Sequence, residues 1–382
     1  MKYYIIAGEA SGDLHGSNLM RELKQIDANA EFRFWGGDLM NLQDKNLVCH
    51  YKDTAIIGFW EVVKKLRRIL RNIKFCKQDI LDYSPDVLIL IDYPGFNFRI
   101  GEFAKSKGFR VFYYIAPKVW AWKESRVKKL RKFTDKLFVI FPFEVEYFKR
   151  WNMDVCYEGN PLTDLINEHL ANKKSFDYFI QHNDLPDKPI IAVLAGSRKQ
   201  EIDYILPRVK KIINDFPEYQ FVLAAAPSID KNFYRKHLPN YEMAIVYNQT
   251  CETLMHCSVA IVASGTATLE AALLGARQVV CYGGSEISYQ IGKRLIKVKY
   301  ISLVNLIMNK PVVKELIQHD MSVEKMKAEL NGLLFDVVRR KQIVDDYTEL
   351  AEMLGEQGTA YRIAKTVIDE INKLKNKDVA NI

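Results

Sequence analysis

The stretch "YYIIAGEASGDLHGSNL", residues 3–19, decides the fold. Tyr3–Ala7 is a continuous apolar run, as a strand covered on both faces requires. Gly8 breaks the run, and Leu14, Leu19 and Leu23 then continue in a helical pattern. A strand–glycine–helix turn offers bare backbone N–H groups and ordinarily receives an anion. Here Glu9 and Asp13 stand among Gly8, Ser11 and Gly12, and a phosphate would be repelled. The chain opens as a nucleotide-type α/β unit whose first turn is filled with acid.

The second half opens alike. "IIAVLAGSRKQE", residues 190–201, again runs strand, glycine, small polar residue, helix. Between and beyond these turns lie further apolar runs: Phe32–Gly36, Val87–Ile91, Val111–Ile115, Leu137–Ile140, Gln220–Ala224, Met243–Val246, Val259–Val262 and Gln278–Cys281. Most are continuous rather than alternating, and helical segments separate most of them. That pattern predicts an α/β fold of two doubly wound, Rossmann-like domains facing a central cleft. The weakest patterning, at 168–188, is read as a linker region, which sets domains at 1–167 and 168–349. Neither opening turn carries G-x-G-x-x-G, which weighs against nicotinamide chemistry.

A chain of 382 residues is long for one domain, and 48% hydrophobic content supplies ample core. The six cysteines include no C-x-x-C pair and the seven histidines no H-x-x-x-H pair, so neither a zinc ribbon nor a redox dithiol is expected. No apolar stretch approaches the roughly 18 residues that span a bilayer. With a strand starting at Tyr3, no signal peptide is expected, and the reading is a cytoplasmic, soluble or peripheral protein.

Four stretches carry candidate chemistry. In "AIVASGTATLEAALLG", residues 260–275, a buried strand gives way to Ser264, Gly265 and Thr266, and a helix follows from Thr268. Its first N–H groups, the helix dipole and the two hydroxyls favour a diphosphate, and Glu270 lies one turn on, where it can accept from ribose hydroxyls. An ordinary capped helix is the alternative. In "LAGSRKQEI", residues 194–202, Arg198 follows a strand end and can grip phosphate bidentately, or pair with Glu201 or Asp203 instead. In "VLILIDYPGFNFRIGEFAKSKG", residues 87–108, Asp92 ends a buried strand, a position suited to a general base or to tying the loop.

The fourth stretch, "IIGFWEVVKKLRRILRNIKFCK" at 56–77, is a basic amphipathic helix. Phe59, Val62, Val63, Leu66, Ile69, Leu70 and Ile73 share one face; Lys64, Lys65, Arg67, Arg68, Arg71, Lys74 and Lys77 cover the rest. It suits an anionic lipid surface, or a core helix with a solvated basic face. Nucleic acid is not expected, because the other basic runs follow no recognisable binding module. No D-x-D triplet occurs, so the usual acidic clamp for a metal-bound sugar diphosphate is missing and no metal or other cofactor is expected.

The motifs "GEASGD", "IGFWEV", "IDYPGFN", "APKVWAWKESRV", "PFE", "GNPLTD", "GSR", "SGTATLEAALLG" and "YISLVNLI" run nearly end to end. Together they resemble the lipid-A-disaccharide synthases, glycosyltransferases of the GT-B fold. The resemblance implies inverting transfer from UDP-2,3-diacylglucosamine to 2,3-diacylglucosamine 1-phosphate, releasing UDP, at the inner membrane leaflet with its anionic phospholipid. It makes Asp92 the general base, Arg198 an arginine needed for activity and Asn305 a nucleotide-side polar residue. Ser264, Gly265, Thr266, Ala267, Thr268 and Glu270 fall in the UDP turn, and Gly8, Glu9, Ser11, Gly12 and Asp13 in an acceptor-side loop. Glu9 and Asp13 then either accept from sugar hydroxyls or order the loop. Ile57, Phe59, Trp60, Val63, Lys64, Lys65, Arg67, Arg68 and Arg71 fall to the acyl-chain and membrane surface. The last helix, about 350–382, is expected to cross back to the first domain. Two departures stand out: Gly95 where some members carry a second acid, and Asn160 where histidine is common. A UDP-N-acetylglucosamine epimerase or another sugar transferase shares the fold and the diphosphate turn, and is the alternative reading.

Overall fold

The computed structural model describes residues 1–54, 62–122, 124–240, 243–286, 289–290 and 298–380, with no side chains described at 54, 62–66, 122 and 375–380. The chain divides into two compact units, Met1–Pro161 with Gly355–Ile382, and Leu162–Leu354.

The first unit is built on a parallel sheet of seven strands: β1 Lys2–Ala7, β2 Glu31–Gly36, β3 Leu47–His50, β4 Val87–Ile91, β5 Val111–Tyr114, β6 Lys136–Val139 and β7 Cys156–Tyr157. Their order is β3-β2-β1-β4-β5-β6-β7, so the order reverses between β1 and β4. All residues of β4 and β5 are buried, which is why those strands read as unbroken apolar runs. One face packs under the Ala10–Ile26 helix and the closing helix Thr359–Ala380, whose Ile363, Ala364, Val367 and Ile371 join the core beneath β1. Arg362 donates to the Glu158 carbonyl at 3.0 Å and fastens that helix where the first stretch of the unit ends.

The second unit carries six parallel strands: β8 Ile190–Leu194, β9 Gln220–Ala225, β10 Ala244–Tyr247, β11 Cys257–Ala263, β12 Gln278–Tyr282 and β13 Lys314–Ile317. The order β10-β9-β8-β11-β12-β13 reverses between β8 and β11. The stretch read as a linker is helical instead, in Leu162–Ala171 and Phe176–His182. Ser175 caps the second of these by accepting from the Tyr178 N–H, and its Phe179 and Ile180 are buried, so the polar residues there are the solvent faces of packed helices. The expected boundary at 167/168 falls inside the first of them.

The basic helix runs Val62–Tyr83. Its inward residues are Ile73, Cys76 and Ile80, with Ile69 packed against the same core, while Arg67, Arg68, Arg71 and Lys74 are exposed. Leu70, expected on the apolar face, is 52% exposed and Phe75 51% exposed, both among the basic residues. Ile57, Phe59 and Trp60 lie outside the described residues, as do the side chains of Val63, Lys64 and Lys65. No described helix is long and apolar enough to cross a membrane.

Candidate active site

Register places the candidate residues of the first unit side by side. Ala7 pairs with Ile91 and Ile91 with Tyr114, so Gly8, Asp92 and Ile115 each leave the sheet at the same carboxyl edge. This edge, at the point where strand order reverses, is where open α/β sheets bind ligands. The backbone there is held in a sparsely populated region: φ is +42° at Asp92, +46° at Tyr93 and +61° at Ile115. None is glycine, each costs about 1–3 kcal/mol, and such strain concentrates at functional sites.

Neighbouring groups hold it in place. Asn97, fully buried, donates from Nδ2 to the carbonyls of Asp92 (2.8 Å) and Ile91 (3.2 Å), and the Tyr113 hydroxyl donates to the Asp92 carbonyl at 2.5 Å. Sequence reasoning missed both supports. The available signal was a lone amide on the apolar face of Phe96, Phe98 and Ile100. Tyr93 lies over Gly8 so closely that a Cβ there would stand 2.2 Å from its ring, which makes glycine obligatory. Asp92 itself is half-buried. Burial raises its pKa above the usual carboxylate range and the charge of Glu9 adds to that; the Lys118 cation and the Tyr93 N–H pull the other way.

The two acids of the opening turn part company. Glu9 is exposed at the head of the Ala10–Ile26 helix and is felt electrostatically by Asp92. Asp13 is 2% exposed and accepts from the backbone N–H groups of Gly37 (2.7 Å), Leu39 (3.1 Å) and Met40 (3.1 Å). It thereby caps the Asp38–Gln43 helix, whose own cap residue is a glycine without a side chain. Asp13 therefore orders the loop, and the sugar-binding alternative does not fit a carboxylate so engaged. Ser11 is exposed and Gly12 buried against Ala7.

In the second unit Val262 pairs with Leu194 and Ala263 with Cys281, so the turns after β8, β11 and β12 are neighbours at one carboxyl edge. Gly265 has φ +153°, and a Cβ there would meet nothing within 4 Å. Gly265 and Thr266 are exposed, and Gly265, as the cap residue of the Thr266–Leu273 helix, brings no side chain to its first N–H groups. Ser264 is half-buried and donates to the Ile301 carbonyl at 3.1 Å. Ala267 is half-buried, whereas Thr268 is fully buried with its hydroxyl returned to the Gly265 carbonyl at 2.8 Å, so its side chain shapes the turn from inside. Glu270 is half-buried; burial raises its pKa and His169 draws it back.

Arg198 caps the Lys199–Lys210 helix. Its side chain is 81% exposed and pairs with Glu201 at 3.2 Å, the ion-pair alternative weighed above. Glu201 is the more buried partner, but with the guanidinium this open to solvent the pair is worth about 1 kcal/mol, little enough for a phosphate to displace it. Asn305 corrects an expectation. It is 1% exposed, gives Nδ2 to the Val313 carbonyl and to Glu315, and accepts from the Val313 N–H at 2.9 Å. Its amide is engaged inside the unit, where it ties the Leu303–Met308 helix to the segment leading into β13. Among the described residues no cluster of three or more His, Cys, Asp or Glu is arranged to hold a metal ion.

Two parallel lobes with active-edge turns of this kind define the GT-B class of fold. Solved structures that share it include UDP-GlcNAc 2-epimerase from Methanocaldococcus jannaschii in complex with UDP-GlcNAc and UDP, at TM-score 0.64 and 14% identity over 96% of this chain and 99% of that one. The calicheamicin glycosyltransferase matches at TM-score 0.59 and 12% identity over 97% and 98%. At these identities the likeness concerns the fold alone. Residues 3–369 match the family described as lipid-A-disaccharide synthetase. Lipid-A-disaccharide synthase of Geobacter metallireducens is 34% identical over 375 residues, 97% of both chains, and that of Coxiella burnetii is 33% identical over 367 residues, 95% and 96%. The chain belongs to the lipid-A-disaccharide synthetase family, and its activity is that of a glycosyltransferase of lipid A biosynthesis.

Proposed function

We propose that the chain moves a 2,3-diacylglucosamine unit from UDP to the 6-hydroxyl of 2,3-diacylglucosamine 1-phosphate, with inversion, to give the β-1,6-linked disaccharide 1-phosphate and UDP. The observation that carries this is Asp92: a carboxyl group on strained backbone at the strand-order reversal, raised in pKa yet half-open to a ligand. In the reaction it takes the proton of the acceptor hydroxyl as that oxygen attacks the anomeric carbon. The bond from that carbon to the diphosphate breaks, and its electron pair leaves with UDP. The open Gly265–Thr266 turn, the helix dipole behind it and the Arg198 guanidinium receive the charge that develops. Glu270 accepts from the ribose hydroxyls. With those groups neutralising the diphosphate, the reaction proceeds without a metal.

The exposed arginines and Lys74 of the Val62–Tyr83 helix hold the protein against anionic lipid at the cytoplasmic face of the inner membrane, and the exposed Leu70 and Phe75 beside them receive acyl chains. The test is turnover of UDP-2,3-diacylglucosamine with the monosaccharide phosphate, with and without a chelator. Asp92→Asn is expected to lose about 10²–10⁴-fold in kcat while UDP affinity stays intact. Unchanged turnover removes Asp92 from the chemistry, and loss of turnover on chelation removes the metal-free route. Equal turnover of an unacylated donor favours a more general sugar transferase.

A further inference from the structure

The loop after β12 is held by a device that the reaction as described does not use. Gln318 is the first residue past β13, and Ile317 before it pairs with Tyr282, so Gln318 sits beside the Gly283–Ser285 loop. It is 4% exposed and adopts φ +50°, a conformation an L-residue takes at a cost. That backbone aims its amide at both backbone groups of one residue: Oε1 accepts from the Gly284 N–H at 3.2 Å and Nε2 donates to the Gly284 carbonyl at 3.0 Å. Nε2 also donates to Glu286 at 3.1 Å.

From the other side comes Tyr204, on the Lys199–Lys210 helix that Arg198 begins. Its hydroxyl donates to the Gln318 carbonyl at 3.0 Å, and its ring carries the Arg208 guanidinium at 3.7 Å. The same ring fills the space over Gly283, where a Cβ would fall 2.1 Å from it. Arg198, Glu201, Tyr282, Gly284 and Ser285 line one depression between helix and loop. Tyr204 and Gln318 are the brace behind it.

We propose that Gln318 and Tyr204 are positioning residues for the donor: they fix the distance between the Gly283–Ser285 loop and the Arg198 turn, so that the nucleoside diphosphate enters a slot already formed. This rests on the reading of Arg198 as a diphosphate ligand. Neither residue needs to touch the donor. A preformed slot spares the bound donor the cost of ordering the loop, so the brace acts on donor affinity and leaves the acceptor and the chemical step alone.

The test uses the full chain, with UDP binding by calorimetry and steady-state kinetics in both substrates. Gln318→Glu keeps the shape but sets a carboxylate against the Gly284 carbonyl and Glu286. Tyr204→Phe keeps the ring over Gly283 and removes the bond to Gln318. A buried polar group left opposed costs more than one lost bond, so the UDP dissociation constant should rise about tenfold or more in Gln318→Glu and about threefold in Tyr204→Phe. Donor KM should follow, while kcat at saturation and acceptor KM stay within about twofold. UDP affinity unchanged in both variants overturns the proposal, as does an equal fall in kcat with no change in donor KM. If Gln318→Glu fails to fold, Tyr204→Phe decides alone. Arg198→Ala separates the two layers: if it leaves UDP affinity intact, the diphosphate reading fails. If it abolishes UDP binding while the brace variants bind normally, only the brace is wrong.

Discussion

Removing the Asp13 carboxylate should damage the fold rather than the chemistry, and the size of the damage follows from its three partners. Gly37 and Met40 are buried, so their N–H groups have no access to water once the carboxylate is gone; Leu39 is exposed and recovers a water. Two buried unsatisfied donors at about 1–3 kcal/mol each put Asp13→Ala near 4 kcal/mol of lost stability. Asp13→Asn retains one oxygen, the one that serves both buried donors, and loses the charge and the Leu39 bond, for about 1–2 kcal/mol. A unit of this size moves about 2–4 °C per kcal/mol, so its calorimetric transition should drop about 8–16 °C for alanine and about 2–8 °C for asparagine. Scanning calorimetry of the whole chain, paired with acceptor KM, reads both effects. If Asp13→Ala melts within about 2 °C of the parent while acceptor KM rises, the carboxylate faces sugar, and the assignment of Asp13 as a cap is wrong.

Three more consequences can be measured. Because a base acts in its ionised form, turnover should rise with pH through the raised pKa of Asp92; Glu9→Gln should move that acid limb to lower pH and Lys118→Met to higher pH, and a limb that ignores both belongs to another group. Glu144 is 1% exposed, and burial pushes its pKa up to about 7 despite donors from Trp120, Phe141 and Ile140. The folded unit thus keeps a proton that the unfolded chain sheds above about pH 4.5, so stability should fall by up to about 3 kcal/mol as pH climbs from there through 7 and then level off; Glu144→Gln should flatten that slope in urea unfolding, and a slope unaltered by the change assigns it elsewhere. Reversing Arg67, Arg68 and Arg71 to glutamate should weaken sedimentation with anionic vesicles about a hundredfold or more, since each cation near such a surface is worth about 1 kcal/mol; undiminished sedimentation rules out docking by this helix.

The ten strands legible as apolar runs are all present, within a residue or two of their expected ends. The three that were not legible, β3, β7 and β13, all sit at sheet edges. Each has at most one buried residue, so no apolar run marks it, and each exists because a neighbour supplies a ladder. The same division holds at the site. Asp92, Arg198 and the Ser264–Thr266 turn stand at strand ends, which sequence marks directly. Asn97, Tyr113 and Gln318 act on backbone groups, and for Gln318 the target lies 34 residues away. Asn305 misled for a related reason: a polar residue in a recognisable motif was read as facing the ligand, when its partners are Val313 and Glu315.

The contrast between the β1 turn of the first unit and the β11 turn of the second now has a physical basis. Both leave a parallel sheet at its reversal point and enter a helix, so topology alone would let either take a phosphate. They differ in what already fills them. The first is closed by protein: Tyr93 covers Gly8, Ala7 presses on Gly12, and Asp13 is committed to the Gly37–Met40 turn, with the Glu9 carboxylate exposed at the helix head. The second is open at Gly265, carries an exposed Thr266 and lies beside Arg198, whose weak pairing with Glu201 can be exchanged. A dianion entering the first turn would meet the Glu9 carboxylate; entering the second, it would meet the start of a helix, a hydroxyl and a guanidinium. This difference in charge supports the proposed division of labour, with the diphosphate in the second unit and, near the raised carboxyl of Asp92, an uncharged nucleophile that must lose a proton.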